Sequence, residues 1–376
     1  MSAPELTRRA VLGHRSAVHG LDRRAGGADR VLGLGIQDTL YGSAARALAA
    51  RGAAPADGAA GPLVWTWRGA PHLHRAEDLA FLARALWPVG DADATKRIAT
   101  TSIRQGARRG VEAFTAAATA MRDVVTHRMS KGEVSALVSE RVPNDLTYDC
   151  ESCRARHISG ALFQQVGLAA GVQVVPEGRS TLLEPLPEDV RPPRVPERGE
   201  GAAAALLRYV ELHGPASAAH LGSFLGTTTA VAKSVVQAMV TAGAPAGLVE
   251  VSGPGGPGWM TPDALDRARD AEPLRATRLL PPSDPWLQAR DREVVVPDAA
   301  RRKVVWRAIG NAGAVLADGE VVGVWRSAAQ RGGQLTVTVE AFEPLAAGRR
   351  DEIDAEAQLL AAPGSGTPPV QVAFAA

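Results

Sequence analysis

Two cysteines and a histidine lie close together near the middle of the 376-residue sequence. Cys150 and Cys153 are separated by two residues, and His157 follows shortly after, so three potential zinc ligands occur at short spacing. A structural zinc site needs four ligands, and the sequence has no second cysteine pair. Cysteine is also among the residues most often buried for ordinary packing reasons. We therefore expect no metal here, although the three side chains leave that alternative open.

The motifs of several well-known chemistries are missing from the sequence. It has neither the GxxxxGK[ST] loop that cradles nucleotide phosphates nor a complete GxGxxG fingerprint, since the pair Gly33 and Gly35 lacks the remaining features. No HExxH metalloprotease motif and no GxSxG nucleophile elbow occur either. Nucleotide-dependent chemistry is therefore unsupported, and we expect no cofactor.

Residues 198–262 show the clearest pattern of secondary structure. Apolar residues recur there at helical spacing, and His213-Gly214-Pro215 is a typical helix end. Ser217 is suited to the N-cap of a short second helix, residues 222–226 to a turn, and residues 227–229 to the cap of a third helix. Two strand-like runs at 248–251 and 258–260 follow. Helix, helix, helix and hairpin is the order of a winged helix.

A second unit of this kind is predicted near the N-terminus. Residues 39–51 have helical character, residues 63–67 resemble a strand, and a turn then leads into a second strand at 72–74. Residues 76–87 are again helical, and further helical material extends from about residue 95 to residue 173, where a third unit is one interpretation. The proline-rich, charged segment 184–199 has no periodicity, so we predict a linker there.

After residue 270 the pattern changes to short apolar runs. They lie at 292–296, 315–317, 321–325 and 335–339, with Asp318-Gly319 placed as a hairpin turn. Helices are predicted near 298–309 and 351–360. The fold class that follows is α+β, with tandem winged-helix domains followed by a small β-rich C-terminal domain. The predicted limits are 1–183 for the N-terminal units, 184–199 for the linker, 200–265 for the winged helix and 270–376 for the last domain.

The composition is that of an ordinary globular protein. Apolar residues make up 45% of the chain and the net charge is +2, which is too small to indicate a nucleic-acid partner by itself. The N-terminus lacks an apolar signal-peptide core, and no run approaches the roughly 18 apolar residues of a membrane span. Two cysteines cannot build a disulfide framework. We expect a cytoplasmic monomer without a membrane partner.

Four segments, in this order, resemble the AlkZ and YcaQ type DNA glycosylases, a superfamily of tandem winged helices. The segments are Leu32-Gly33-Leu34-Gly35-Ile36-Gln37-Asp38-Thr39; Trp67-Arg68-Gly69-Ala70-Pro71-His72-Leu73 with Ala76-Glu77-Asp78-Leu79; Leu280-Pro281-Pro282-Ser283-Asp284-Pro285-Trp286 with Arg290-Asp291-Arg292; and Asp318-Gly319-Glu320-Val321-Val322-Gly323-Val324-Trp325-Arg326. The resemblance covers nearly the whole chain. It implies double-stranded DNA with alkyl lesions as the partner and no nucleotide cofactor.

The resemblance places the catalytic motif at residues 35–37. AlkZ-like members usually have Gln, an apolar residue and Gln there, and YcaQ-like members have Asp in the last position. Here Gly35 replaces the first glutamine, and Gln37 is the second. The Gln37 carboxamide can position a water near a cationic, sugar-like transition state, or it can be a buried amide that satisfies backbone groups. Asp38 can add negative charge to that transition state or serve as a helix N-cap.

Six residues in the matching segments are candidates for DNA contact: Arg68, His72, His74, Asp284, Arg290 and Arg292. Arg68 lies at a turn between predicted strands, where it can reach phosphate or a groove. His72 and His74 alternate on a strand and share one face, which either lines the DNA or is half-exposed without a role. Arg290 and Arg292 share a face by the same rule, and they either follow phosphate or pair with a neighbouring carboxylate.

We therefore predict a monofunctional DNA glycosylase that hydrolyses the N-glycosidic bond of bulky alkylated purines, with interstrand crosslinks from a genotoxic natural product as a candidate substrate. A bifunctional enzyme would need an amine nucleophile, usually a lysine, and no lysine falls in a matching segment. The alternative is a non-catalytic winged-helix protein, either a transcription regulator or a lesion binder. The missing first glutamine favours that alternative.

Overall fold

The computed structural model describes residues 3–24, 26–39, 41–53, 61–152, 154–178, 180–241, 247–307, 310–329, 334–361 and 370–375. Helices and strands are both present in these residues, and the strands pair mostly antiparallel. This mixed content agrees with the helices and strands predicted from the sequence. No helix in the part of the chain that the structure describes combines the length and the apolar character needed to cross a membrane.

The N-terminal part of the chain packs four helices around a small sheet. Its elements are α1 (Arg8–Val18), α2 (Gly27–Leu34), β1 (Ile36–Gln37), α3 (Ser43–Ala49), β2 (Leu63–Trp65), β3 (Pro71–Leu73) and α4 (Leu79–Ala85). The strands are antiparallel in the order β1-β3-β2, which sets Gln37 opposite His72. The helix predicted at 39–51 begins only at Ser43, after a turn in which the Asp38 carboxylate accepts from the backbone N–H groups of Gly42 and Ala44.

The next part is richer in strands than the sequence pattern predicted. Its elements are α5 (Asp91–Ile98), α6 (Val111–Val124), β4 (Met129–Ser130), α7 (Lys131–Ser139), β5 (Thr147–Cys150), β6 (Ala155–Ile158), α8 (Gly160–Gln165), β7 (Val172–Glu177) and β8 (Ser180–Pro185). One sheet has the order β4-β8-β7, and β5 and β6 form a separate hairpin. The prediction of helical material up to residue 173 is thus confirmed for four helices but missed this hairpin.

Residues 186–202 contain no helix or strand, and the predicted linker begins inside β8. The segment is nevertheless packed onto the protein. Leu186 is buried, and Arg122 of α6 donates to the carbonyl oxygens of Pro192 and Pro193 at 2.9 Å each. The connection between β8 and α9 therefore lies against the protein, with α6 among its contacts.

The segment after this connection has the predicted order of three helices and a hairpin. Its elements are α9 (Ala203–His213), α10 (Ala218–Leu225), α11 (Thr229–Thr241), β9 (Val249–Gly253), β10 (Gly256–Met260) and a further helix, α12 (Pro262–Arg269). The predicted cap is confirmed, since the Ser217 hydroxyl accepts from the backbone N–H of His220. The turn predicted at 222–226 was wrong, because α10 continues to Leu225 and ends at Gly226 in the left-handed region.

The C-terminal part is built on a five-stranded sheet. Its elements are β11 (Thr277–Leu280), α13 (Arg292–Val295), α14 (Ala299–Val305), β12 (Gly313–Ala317), β13 (Glu320–Ala329), β14 (Leu335–Ala341), α15 (Ala347–Gln358) and β15 (Gln371–Phe374). The sheet has the order β11-β12-β13-β14-β15, and β15 is parallel to β14. The hairpin turn at Asp318-Gly319 is confirmed, with both residues at positive φ.

The strand predicted at 292–296 is instead the short helix α13. Val294, Val295 and Val296 are all buried, so their side chains do not alternate between core and solvent. A continuous apolar run of this length does not distinguish a strand from a buried helical turn. The helix changes where Arg292 and its neighbours point, which matters for the site described below.

Buried apolar side chains from distant parts of the chain share common clusters. Residues of α2–α4 and of α9–α11 form one cluster, in which Trp67 packs against Phe224. Residues of α1 pack with α12, β9, β10 and the C-terminal sheet in another. The elements on either side of residues 186–202 are therefore held against each other. The domain limits given above stay predictions.

Candidate active site

A polar cleft with a volume of about 190 Å³ opens between β1, the 3-10 turn Trp67–Gly69 and residues 283–312. Its polar lining side chains include Gln37, Arg68, Ser283, Gln288, Arg290, Arg292 and Asn311. We refer to it as the Gln37 cleft. The fold thus brings together four of the residues singled out in the sequence, from segments that lie far apart along the chain.

Gln37 reaches this cleft from the end of β1. Its neighbour Ile36 is fully buried, so strand alternation directs the half-buried Gln37 side chain away from the core on the other face. The Gln37 Nε2 group donates to the Thr39 hydroxyl, and Oε1 accepts from Nε2 of Gln288 at 3.3 Å. Both ends of the carboxamide are therefore held by hydrogen bonds.

Asp38 supports the strand end that carries Gln37. Its carboxylate accepts hydrogen bonds from the backbone N–H of Gly42 (3.2 Å) and Ala44 (2.9 Å) and from the Ser43 hydroxyl (3.1 Å). The same hydroxyl also lies 3.2 Å from the carbonyl oxygen of Gln37. Asp38 is buried and its oxygens are occupied. The N-cap residue of α3 is Gly42, so Asp38 is not the predicted cap itself, but its contacts hold the segment that leads into α3 and favour a structural role over a catalytic one.

Three arginines form the cationic wall of the cleft. The guanidinium groups of Arg68 and Arg290 lie over the ring of Phe224, at 5.1 and 5.6 Å from its centroid, and Arg292 lies 5.0 Å from the ring centroid of Trp306. None of the three has a carboxylate within 4.0 Å among the described residues. Aromatic faces thus replace the counter-ions that buried arginines usually have.

The charges of these arginines are not compensated within the protein. Burial lowers the pKa of Arg68 to about 9, and the neighbouring charges of Arg290 and Arg292 add to this effect. Burial also lowers the pKa of Arg290, whose Nε and Nη2 atoms are buried and have no hydrogen-bond partner. All three remain protonated at neutral pH. A bound anion would relieve their repulsion and supply the missing acceptors.

His72 and His74 do share one face, as strand alternation predicts, but that face is covered. The His72 and His74 side chains are 2% and 0% exposed. The Nδ1 atom of His72 lies 2.8 Å from the Ala70 carbonyl oxygen, and Nε2 of His74 lies 3.0 Å from the Thr66 hydroxyl. Burial lowers the pKa of His74 to about 3 and that of His72 well below its ordinary value. Both are neutral and internal, so the geometry does not support the DNA contact predicted for them.

The ring of His74 also fills the space beside Gly35. Gly35 has φ +101, and a Cβ atom there would lie 2.3 Å from Cε1 of His74. A side chain at position 35 would therefore require both a strained backbone and displacement of the histidine. The glycine that interrupts the expected motif is accommodated by its surroundings.

Asp284 does not point into the cleft but into the protein. It forms a two-point ion pair with Arg51 at 2.8 and 2.9 Å, and both side chains are 0% exposed. Asp284 also accepts from the backbone N–H of Trp286 at 2.9 Å and so begins the 3-10 turn Pro285–Gln288. The DNA contact predicted for Asp284 is replaced by this internal role, because no oxygen is left for an external partner.

The remaining sequence candidate is the group Cys150, Cys153 and His157. Cys153 lies outside the described residues, so the arrangement of the three is not described. Within the described ranges, no group of three or more His, Cys, Asp or Glu side chains is arranged to hold a metal ion.

Sequence reasoning missed Gln288 and the two aromatic side chains, Phe224 and Trp306, that support the arginines. Gln288 lies between two segments of the family resemblance, close to Trp286 and Arg290. This position in the sequence could have identified Gln288 as a candidate site residue. Phe224 had none, because its role depends on packing between α10 and a turn far away in sequence.

The fold and the cleft define a mixed α/β protein with an uncompensated cationic site around a carboxamide. The family model described as DNA glycosylase AlkZ-like matches residues 28–362, and the chain belongs to this family. DNA is the substrate class that this membership implies. The solved structure of Streptomyces sahachiroi DNA glycosylase AlkZ resembles this chain with a TM-score of 0.70 and 20% sequence identity, over 99% of this chain and 100% of that chain. That likeness supports the fold. No curated protein sequence matches the chain.

Proposed function

We propose that this protein is a monofunctional DNA glycosylase that hydrolyses the N-glycosidic bond of bulky alkylated purines, including purines in interstrand crosslinks. The observation that carries the proposal is the position of Gln37, whose carboxamide lines an open cleft with three arginines that have no carboxylate partner among the described residues. A glutamine placed only to satisfy backbone groups would not need such surroundings.

The protein's main task in this reaction is to position a water and an acceptor oxygen near the sugar. Alkylation puts positive charge on the purine ring, so the base is already a good leaving group. As its bond to the sugar breaks, positive charge develops on the sugar, and a water must attack the same carbon. An amide oxygen fixed near that carbon can accept a hydrogen bond from the attacking water. The same oxygen can lower the energy of the cationic transition state.

Arg68, Arg290 and Arg292 are proposed to hold the DNA backbone near the lesion. Guanidinium groups bind phosphate oxygens through parallel hydrogen bonds, and these three have no carboxylate partner among the described residues. Phosphate contacts fix the position of a duplex without selecting its sequence. This suits an enzyme that recognises damage in any sequence.

The arrangement of helices and strands supports a tandem winged-helix architecture. Each of three successive parts has helices followed by a two-stranded hairpin: α2, α3 and β2-β3; α6–α8 and β7-β8; α9–α11 and β9-β10. In the first two, a short strand joins the hairpin, in the orders β1-β3-β2 and β4-β8-β7. In the third, Ala216 forms a single bridge to Trp259 of β10. We propose that these are three winged helices.

Among the residues that the structure describes, no lysine lines the Gln37 cleft. Base removal by water, leaving an abasic site, therefore fits the residues better than removal by an amine nucleophile.

The test is base release from a duplex with one N7-alkylated guanine, measured under single-turnover conditions. Wild type should release the base, and Gln37→Ala should release it at least about ten-fold more slowly, with similar Kd for the duplex. Gln173→Ala is the matched control, because Gln173 is also half-buried and hydrogen-bonded but lies on β7. Equal rates for wild type and Gln37→Ala would remove the role proposed for Gln37.

A non-catalytic lesion binder is the second candidate, and one observation favours it. Gly35 leaves the site without the first glutamine that AlkZ-like members usually have. If wild type binds lesion-bearing DNA more tightly than intact DNA at fixed salt but releases no base, this candidate replaces the enzyme. Binding of one particular sequence, whether damaged or not, would instead indicate a regulator.

A further inference from the structure

We propose that Gln288 is a positioning residue for the reaction, and that it fixes which atom of the Gln37 carboxamide faces the water. This inference rests on the glycosylase function proposed above. Gln288 belongs to the 3-10 turn Pro285–Gln288, on the wall of the cleft opposite β1. The two carboxamides therefore meet from two separate segments of the chain.

The direction of the hydrogen bonds follows from Arg68. A guanidinium group can only donate, and Nη2 of Arg68 lies 3.5 Å from Oε1 of Gln288. The oxygen of Gln288 therefore faces Arg68, and its Nε2 group faces Gln37, where it donates to Oε1 at 3.3 Å. Nε2 of Gln288 also lies 3.4 Å from the carbonyl oxygen of Ser283, an acceptor that excludes the flipped amide.

The orientation of the Gln288 amide then determines the orientation of the Gln37 amide. Because Oε1 of Gln37 accepts from Gln288, its Nε2 group is left to donate to the Thr39 hydroxyl. An amide oxygen has two lone pairs, so Oε1 keeps one for a water. One series of hydrogen bonds runs from Arg68 through Gln288 and Gln37 to Thr39, and each residue donates to the next. This series leaves the Oε1 atom of Gln37, and not its N–H group, facing the position where positive charge develops.

The backbone around Gln288 holds this arrangement in place. Arg68 and Ser283, its two partners, both have positive φ, at 57° and 63°, a region that residues other than glycine seldom adopt. Strained conformations of this kind persist only where the surrounding structure enforces them, and they are frequent at functional sites. The 3-10 turn itself begins at Asp284, which is fixed by the buried Arg51.

The surroundings of Gly35 give a second reason why the partner of Gln37 comes from elsewhere. The ring of His74 occupies the space next to Gly35, so position 35 has no room for a side chain that could contact the Gln37 amide. Gln288 is the amide that lies within hydrogen-bond distance of Oε1 among the described residues.

The test compares Gln288→Ala and Gln288→Met with wild type and with Gln37→Ala, using the full-length chain and the same N7-alkylguanine duplex. Methionine keeps the volume of glutamine but cannot form these hydrogen bonds. We expect both Gln288 variants to slow single-turnover base release by about ten-fold with little change in Kd. If Gln288 only fills space, Gln288→Met will match wild type, which would overturn the proposal.

The double variant Gln37→Ala/Gln288→Ala separates this inference from the function on which it rests. If Gln288 acts through Gln37, its removal will slow the reaction no further once Gln37 is gone. Independent, multiplicative effects would overturn the positioning role. A large loss in Gln37→Ala with none in either Gln288 variant would leave the glycosylase proposal intact and remove Gln288 alone. Gln173→Met serves as the control for an unrelated glutamine.

Discussion

Replacing Asp284 by alanine should lower the free energy of unfolding by about 3–5 kcal/mol. Asp284 and Arg51 are both 0% exposed and joined by two hydrogen bonds of 2.8 and 2.9 Å. Removing the carboxylate leaves a guanidinium group inside the protein with only the carbonyl oxygens of His19 and Ala47 as acceptors, at 2.7 and 2.6 Å. Two carbonyl groups do not neutralise a buried charge, so most of its desolvation cost is no longer offset.

The size of this effect can be judged against an exposed pair in the same chain. Arg9 and Glu272 are 2.7 Å apart, but their side chains are 66% and 67% exposed. Solvent screening limits such a pair to about 1 kcal/mol or less, so Glu272→Ala should be close to wild type. A loss of about 3–5 kcal/mol is a large share of the stability of a typical domain, which is about 5–15 kcal/mol.

The assay is urea unfolding of wild type, Asp284→Ala and Glu272→Ala, followed by far-UV circular dichroism, with DNA affinity measured at a temperature where each variant is folded. The structure predicts a large loss of stability for Asp284→Ala and an unchanged Kd. A loss no larger than that of Glu272→Ala would refute the reasoning about the buried pair. A weaker affinity without loss of stability would return Asp284 to the DNA-contact role predicted from the sequence.

Three further outcomes can be checked with simple measurements. Gly35→Ala should destabilise the protein by at least about 2 kcal/mol more than Gly42→Ala. Both glycines have positive φ, but only at Gly35 would the added Cβ atom collide with the His74 ring. Equal losses of stability in urea unfolding would contradict this. The pKa of His14 is lowered to about 4 and that of His74 to about 3, mainly by burial, so between pH 6.5 and about 4 the unfolded chain binds more protons. The free energy of unfolding should therefore fall with decreasing pH in this window, by up to about 1.4 kcal/mol per unit for each group, and a flat profile would exclude the effect. Borohydride should trap no covalent adduct on damaged DNA, since no lysine lines the cleft; an adduct would show amine catalysis.

The elements that could be predicted from the sequence are those whose signals are local. The cap at Ser217, the helix end at Gly214 and the turn at Asp318 depend on a few neighbouring residues, and the structure confirms all three. The helix predicted near 298–309 is α14, with Asp298 as its cap. Such features need no knowledge of distant parts of the chain.

The elements that could not be predicted depend on contacts between distant residues. Strand alternation correctly placed His72 and His74 on one face but could not show that this face is covered. The arginines at 290 and 292 reach one cleft, but Arg292 is the first residue of α13 and Arg290 precedes this helix, so neither lies on the predicted strand. The contact between Gln37 and Gln288 has no local signal, since neither segment determines where the other packs.

The buried pair of Arg51 and Asp284 has a consequence for biosynthesis, and it shares this consequence with a second buried pair, Arg15 and Asp291, which are 2.6 Å apart with side chains 1% and 5% exposed. Arg15 lies in α1 and Arg51 follows α3, whereas their partners Asp291 and Asp284 lie at about the start of the last quarter of the chain. During translation, neither guanidinium group can form its ion pair until most of the protein has been synthesised. An N-terminal fragment that ended before residue 284 would contain Gln37 but not the counter-charges that let its supporting helices pack. Contacts of such long sequence separation make folding slow and late, so maturation of the catalytic region should be among the last events after synthesis.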